Sequence, residues 1–207
     1  MEKVKKVLDR IFIEGLSAMA QGLFATLIIG TIIQQIGSFI PGQAGTILFV
    51  IGKVAASLTG AGIGVAVAYK FNESPLVVVS AATAGMTGAF ASKLLAGTVL
   101  VDGAMVYSGP GEPLGAFLAA YVGIYFGHLV SGKTKVDILV TPIISIGTGS
   151  AVGLILGPPI SGFMVWLGSV INWGTEQQPF LMGIIVSVLM GMILTLPISS
   201  AALGIIL

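Results

Sequence analysis

Long apolar blocks separated by short polar or proline-containing turns dominate this sequence. The block from Leu16 to Ile40 contains no charged residue, and a helix of that length, rising about 1.5 Å per residue, crosses roughly 30 Å of hydrocarbon. Further apolar blocks are Gln43–Tyr69, Pro75–Val101, Leu114–Val130, Ile138–Leu156, the short segment 160–172, and Phe180–Leu196. The pattern predicts about seven transmembrane segments, with Gly157-Pro158-Pro159 ending the fifth. A proline in the last apolar stretch also allows a re-entrant segment near 195–207.

The charged N-terminus has a different pattern. Its apolar residues recur at helical spacing, and four basic residues occupy the other side of the helix; the apolar set is Val4, Val7, Leu8, Ile11 and Phe12. Such a helix lies in the headgroup region of a membrane. We therefore predict an amphipathic interfacial helix over residues 1–15, which anchors the chain without crossing the bilayer.

The composition determines the class of protein. Of the 207 residues, 56% are hydrophobic and 8% are charged, whereas roughly a quarter of the residues in a soluble domain are charged. A charged side chain at the bilayer centre costs about 3 kcal/mol, so this composition indicates an integral membrane protein with the lipid bilayer as its surroundings. The 30 glycines allow helices to approach closely in lipid. The predicted fold class is all-α, a polytopic helical membrane protein.

Lysine and arginine occur at alternate turns of the predicted topology. Four lie at the N-terminus, Lys70 follows the second block, and Lys133 and Lys135 follow the fourth, whereas the turns at 41–42, 102–113 and 157–159 have none. Loops retained in the cytoplasm carry these residues. The N-terminus is therefore predicted to be cytoplasmic. Glu112 then belongs to an outward-facing loop, or to a segment that dips inward from that face.

Two places in the sequence are candidates for substrate binding. In SGPGEPLGA, residues 108–116, Pro110 and Pro113 each fix a backbone angle, so Glu112 is predicted to lie on a stiff turn. In TLPISSAAL, residues 195–203, Pro197 frees a carbonyl group next to Ser199 and Ser200. Irregular backbone of this kind lines binding sites in transporters. A kinked helix whose serines bond to their own backbone is equally consistent with the second sequence.

Three other sequence features bear on function: a lysine within an apolar block, a run of small residues and a phosphate-loop pattern. Lys53 lies about ten residues into its block, so it should face a partner or water. The small residues of AATAGMTGAFASK, 81–93, favour a helix packed on both sides over the wall of a polar pathway. GHLVSGKT, 127–134, matches a phosphate-loop pattern, but a membrane block precedes it where that loop requires a strand. No metal site, cofactor or nucleic-acid partner is predicted.

Four segments carry a resemblance to a known family: GPGEPLGAFLAAYVG at 109–123, SGKTKVDILVTPIISI at 131–146, GLILGPPISGFMVWLGSVINW at 153–173, and QPFLMGIIVSVLMGMILTLPISSAAL at 178–203. With these segments the chain resembles the membrane-spanning IIC component (EIIC) of bacterial phosphotransferase-system sugar transporters. It is most similar to the subgroup of sugar permeases named for the perfringolysin regulator. Fructose-type relatives have a polar proline motif at 196–200, and this chain lacks its charged and amide groups.

The resemblance implies a homodimer in the inner membrane of a bacterial cell. Residues 16–157 would form the scaffold and dimerisation part, and 158–207 the start of the substrate-transport part. Since such components are longer, the 207 residues are expected to be an N-terminal fragment.

The resemblance also implies a function. A sugar substrate would be moved by alternating access and phosphorylated by a partner IIB subunit, which is supplied by IIA. This chain would then have no catalytic residue of its own. A membrane-embedded regulator or sensor without transport, and an ion channel, are the alternatives.

Overall fold

The computed structural model describes residues 9–101, 104–107, 109–177 and 179–195. Eight helices and one small hairpin occur in these ranges: α1 Arg10–Phe39, α2 Gln43–Ser57, α3 Thr59–Lys70, α4 Pro75–Ala89, α5 Ala91–Leu95, β1 Leu100–Val101, β2 Ala104–Met105, α6 Pro113–Val130, α7 Asp137–Gln177 and α8 Pro179–Thr195. The strands pair antiparallel, Leu100 with Met105 and Val101 with Ala104. Pro197, Ser199, Ser200 and most of the predicted interfacial helix lie outside the described residues.

Helix α1 is one continuous helix of 30 residues. It includes Arg10–Gly15, which has π-helical geometry, and a second π-helical segment at Phe24–Ile28. The end of the predicted interfacial helix therefore continues directly into the first span. Helix α2 returns beside α1 after a turn in which Gly42 has a positive φ of 85°. A left-handed residue of this kind is readily supplied by glycine.

Helices α1 and α2 meet through their backbones. A Cβ atom added at Gly30 would lie 2.8 Å from the Gly52 carbonyl oxygen, and one added at Gly37 would lie 2.8 Å from the Gly45 carbonyl oxygen. Glycine at these positions lets two apolar helices pack more closely than side chains would allow. The outer face of this helical hairpin is apolar and exposed, as expected for a surface in contact with lipid.

The second predicted block is broken. Helices α2 and α3 meet at Leu58 with a bend of 54°. The backbone N–H of Leu58 donates to the carbonyls of Val54 and Ala55, both at 3.2 Å, and the Thr59 hydroxyl donates to the Ala56 carbonyl at 2.7 Å. The polar groups at the bend are thus satisfied within the protein, which membrane depth requires.

The core lies where α3, α4, α6 and α7 pack together, with the Leu16–Leu23 part of α1 packed against α3. Its largest fully buried side chains include Met19, Leu23, Ile63, Val67, Val77, Phe90 and Ile124. Between α4 and α6 the backbones touch at Gly88 and Gly115, since a Cβ on Gly115 would lie 2.7 Å from the Gly88 carbonyl oxygen. The buried Ser145 hydroxyl of α7 donates to the Gly123 carbonyl of α6 at 2.9 Å. Small residues thus replace bulky ones at the helix contacts.

The third and fifth blocks differ from their predicted extents. The predicted span Pro75–Val101 is wrong, because the helix ends at Ala89 after 15 residues and the chain then forms α5 and the hairpin. The predicted end of the fifth span at Gly157-Pro158-Pro159 is also wrong, because α7 runs for 41 residues through both prolines. The missing proline N–H groups leave the Leu154 and Ile155 carbonyls without their usual intrahelical donor. Membrane helices tolerate this loss.

The described helices confirm an all-α membrane protein with one minor hairpin. Three are long and apolar enough to cross a membrane, namely Arg10–Phe39, Pro113–Val130 and Asp137–Trp166, and the bent pair α2–α3 makes a fourth if it counts as one span. The predicted count of seven is not confirmed by these residues. Their close packing places the turn before α6 beside the end of α4 and the part of α7 near Ser161.

Candidate functional site

Glu112 is held in place by the backbone on both sides. It is the N-cap of α6, where its Oε1 accepts from the Leu114 amide at 3.3 Å, and Pro113 follows it as the first helical residue. Its own amide donates to the Ala89 carbonyl at 2.7 Å. Gly111 has φ of 75°, and a Cβ there would lie 2.8 Å from the Ala89 carbonyl oxygen. The turn that was predicted to be stiff is thus hydrogen-bonded to the end of α4.

The segment that returns to this turn is anchored by an aromatic contact. The Tyr107 ring lies 4.9 Å from the ring of the buried Phe90, centroid to centroid. The amide of Val106 donates to the Val99 carbonyl at 2.8 Å. Tyr107 therefore packs against the helices, and Glu112 is positioned by its hydrogen bond to Ala89.

A cavity of about 300 Å³ opens beside Glu112. Its walls come from the end of α4, from α5, from the turn before α6, and from α7; they comprise Ala89, Ser92, Lys93, Gly109, Pro110, Gly111, Glu112 and Ser161. This volume is at the lower end of the range for small-molecule sites, which are roughly 300–1,000 Å³. Glu112, Ser92, Ser161 and Lys93 thus line a single space.

The electrostatics of Glu112 follow from its surroundings. Partial burial raises the pKa of this carboxyl above its ordinary value, and the hydrogen bond from the Leu114 amide opposes that shift. Desolvation disfavours the charged form, whereas an amide donor favours it. The group can accept hydrogen bonds from a hydroxylated ligand most strongly when it is ionised.

The cavity contains residues that sequence reasoning did not assign to a site. Ser92 and Lys93 belong to the small-residue segment 81–93, and Ser161 lies just beyond the double proline. Ser161 was unpredictable because the prolines indicated a helix end, whereas the continuous α7 carries it to the cavity. Lys93 also lies with its Nζ 5.6 Å from the centroid of the Phe90 ring. No signal in the sequence links these residues to Glu112.

The prediction of a helix packed on both sides holds for residues 81–89, whereas the helix ends at Ala89 and Ser92 and Lys93 line the cavity. Ala81, Ala84, Gly85 and Gly88 are buried, and a Cβ on Gly60 of α3 would lie 2.8 Å from the Gly85 carbonyl oxygen. The phosphate-loop pattern at 127–134 begins in the last turn of α6. Since a helix and not a strand precedes it, the structure lacks the geometry that nucleotide binding requires.

Charged residues at the opposite end of the helices form a compact cluster. Glu73, whose side chain is 4% exposed, lies 3.6 Å from the Arg10 guanidinium and 2.9 Å from Nδ1 of His128. The hydroxyls of Ser74 and Ser131 are 2.8 Å apart. This cluster joins α1, the α3–α4 turn and the end of α6. The adjoining cavity of about 70 Å³ is far smaller than a usual ligand site.

The architecture defines a polytopic helical membrane protein with one bent span and a polar cavity at one end of its helices. Residues 13–207 match the family model described as "Phosphotransferase system, EIIC", and the chain belongs to this family. It is therefore a membrane-embedded permease component of a phosphotransferase system. Neither a curated protein nor a solved structure matches the chain.

Proposed function

We propose that the protein carries a sugar across the membrane and binds it in the Glu112 cavity. The observation that supports this proposal is a carboxylate held at a helix N-cap in a cavity that also contains Ser92 and Ser161. Sugars are recognised by a few placed hydrogen-bonding groups in an otherwise apolar pocket. Glu112 would accept from sugar hydroxyls, and the two serines would donate or accept.

The sugar is phosphorylated by a partner in this proposal. Transfer of a phosphoryl group needs a donor, and the IIB subunit of the same system, recharged by IIA, would supply it at the cytoplasmic face. The face that carries Arg10, Lys70 and His128 is rich in basic residues, which favours its placement in the cytoplasm. The Glu112 cavity would then open at the outer side, and delivery to IIB would require a change in access.

The double proline offers a place for that change. Ser161 follows Pro158 and Pro159 in α7 and contributes to the same cavity as Glu112. Two neighbouring prolines remove two intrahelical hydrogen bonds, so bending there is easier than elsewhere along the helix. Motion of the chain after Pro159 relative to the preceding helices would alter the cavity wall. Pro197, Ser199 and Ser200 remain candidates for further groups of the site.

Binding followed by uptake tests this function. Sugars are screened for shifts in melting temperature, and the responding sugar is added to proteoliposomes that enclose IIA, IIB and phosphoenolpyruvate. We expect accumulation of the phosphorylated sugar inside the vesicles and none when IIB is omitted. Binding without accumulation would identify a sensor instead, and ion conductance would identify a channel. The absence of any response to sugars would contradict the proposed substrate class.

We also propose a homodimer formed through the N-terminal helices. The α1–α2 hairpin presents an exposed apolar face, which includes Ile32, Ile36, Ile47 and Val50. Because the chain contains no cysteine, a single cysteine at Ile47 should give a cross-linked dimer in native membranes. A cysteine at Val165, which is 71% exposed on α7, serves as the control. Equal cross-linking at both positions, or at Val165 alone, would contradict this interface.

A further inference from the structure

A second polar cavity lies on the other side of the turn before α6. It has a volume of about 330 Å³ and lies between α1, α2 and the segment before that turn; its polar lining comprises Thr31, Gln34, Lys53, Ser57 and Tyr107. Gly109 and Pro110 line both this cavity and the one beside Glu112. Apart from that shared wall, the two cavities have no lining residue in common. We refer to the second space as the Lys53 cavity.

Lys53 is a basic residue within a membrane segment. Ten residues separate it from Gln43 at the start of α2, which places it about 15 Å along the helix. In the part of the chain that the structure describes, ion pairs join Glu73 to Arg10 and to His128, and none involves Lys53. An ionisable side chain within a span is costly and usually faces a cavity or a partner. Lys53 faces this cavity.

The neighbouring hydroxyl groups complement the ammonium. The Thr31 hydroxyl donates to the Leu27 carbonyl at 2.7 Å, and the Ser57 hydroxyl donates to the Val54 carbonyl at 2.8 Å. Because each hydroxyl proton is donated to a backbone carbonyl, the lone pairs of the hydroxyl oxygen can accept a hydrogen bond from a ligand. Lys53 supplies donors and positive charge. A ligand that matches this lining has an anionic group for Lys53 and hydroxyl donors for the acceptors.

The bend in the second span adds a second reason for a binding site here. Lys53 and Ser57 lie in the last turns of α2, directly before the 54° bend at Leu58. Broken helices near the membrane midplane are where transporters place their solute and ion sites.

We propose that the Lys53 cavity binds the phosphate group of a small polyol phosphate. Lys53 contacts the phosphate oxygens, and the hydroxyls of the polyol donate to Thr31, Gln34 and Ser57. A soluble sugar phosphate and the glycerol phosphate headgroup of an anionic lipid share this chemistry. The site is independent of the Glu112 cavity and of the proposal that a sugar binds there.

Thermal stability of the purified protein tests the site. A polyoxyethylene detergent avoids the sugar headgroups of maltoside detergents, and glycerol 3-phosphate is titrated with glycerol as the neutral control. We expect glycerol 3-phosphate to raise the melting temperature and Lys53→Met to weaken its binding about 10- to 100-fold. Lys53→Arg should retain binding. Lys70→Met, which removes an exposed lysine from the end of α3, should bind as the wild type does.

A second experiment, with lipid, distinguishes a soluble sugar phosphate from a lipid headgroup as the ligand. The wild type and Lys53→Met are compared in nanodiscs that contain phosphatidylglycerol. If this lipid stabilises only the wild type, and glycerol 3-phosphate has no effect, the site binds a lipid headgroup. Acylation of the wild type gives a readout that does not depend on folding of a variant, since the bound phosphate should protect Lys53 and not Lys70. Equal responses of the wild type and Lys53→Met, or no protection of Lys53 by either ligand, would overturn the proposal.

Discussion

Replacement of Gly64 by alanine is expected to lower the melting temperature by roughly 5–10 °C, the largest effect on folding that we predict for a single methyl group. Gly64 lies in α3, and a Cβ atom there would overlap the Ala81 carbonyl oxygen of α4. The obstructing atom belongs to the backbone, so no side chain can rotate to make room. Helices α3 and α4 would have to separate along their contact. Thermal unfolding in detergent, followed by size-exclusion profile or intrinsic fluorescence, measures the change.

Gly147 provides a matched control for this substitution. It is a glycine of α7, and apart from its chain neighbours and the nearby backbone of its own helix nothing lies within 4 Å of the position that a Cβ would occupy. Gly147→Ala should keep or slightly raise stability, because alanine has the higher helix propensity, by up to about 1 kcal/mol. If Gly64→Ala and Gly147→Ala had the same melting temperature, the close contact of α3 with α4 would be disproved.

Replacement of Glu112 by glutamine is expected to have the largest effect on ligand binding. The variant should lose the stabilisation that the bound sugar gives the wild type, with affinity weakened roughly 10- to 150-fold, since hydrogen bonds to charged groups contribute about 1.5–3 kcal/mol. Glutamine retains the size of the side chain and an oxygen that can accept from Leu114. Expression and the melting temperature without ligand should therefore be maintained. If the sugar raised the melting temperature of the variant as much as that of the wild type, Glu112 would only cap α6 and would not bind the sugar.

The raised pKa of Glu112 makes the stability of the wild type depend on pH. Because the folded state holds the proton more tightly than the unfolded state, the contribution of Glu112 to stability is fully present below the ordinary value of 4.5. It is lost as the pH rises through the higher pKa of the folded protein. Sugar affinity should change in the opposite direction, because the ionised carboxylate is the better acceptor. Both dependences should disappear in Glu112→Gln, and this is checked by repeating the titrations from pH 4 to neutral pH.

The spans that sequence reasoning predicted best are those with local signals at their ends. Leu114–Val130 corresponds to α6, Pro113–Val130, because Glu112 and Pro113 form an N-cap that can be recognised from residue type. The bend at Leu58 could not be predicted, since neither proline nor charge interrupts the apolar residues there. The angle is set by packing of α3 against α4, which one sequence does not reveal.

Hydropathy also failed to distinguish helix from other apolar structure. The residues between Ala91 and Val101 are apolar enough to continue a span, but they form a short helix, a turn in which Gly97 has φ of 70°, and a strand. Pro158 and Pro159 show the opposite case, since two neighbouring prolines usually end a helix in water but lie inside α7 here. Ser161 was missed for that reason.

The prediction for Glu112 separates into a local and a tertiary part. Its stiff turn follows from Pro110, Gly111 and Pro113, whose backbone preferences are local properties. Its cavity depends on the carbonyl of Ala89 and on side chains that are distant in sequence. Only the three-dimensional arrangement reveals which hydroxyl groups share the space with the carboxylate.

The glycine contacts between helices determine which helices can move relative to one another. Where α3 meets α4 at Gly64 and α4 meets α6 at Gly115, main chain touches main chain, and backbone atoms have no rotamers that could switch between two arrangements. Sliding or rolling of one helix on the other would open a void that nothing nearby can fill. The helices α3, α4 and α6 are therefore expected to move as one rigid body. The part of α7 that contains the prolines would move relative to them.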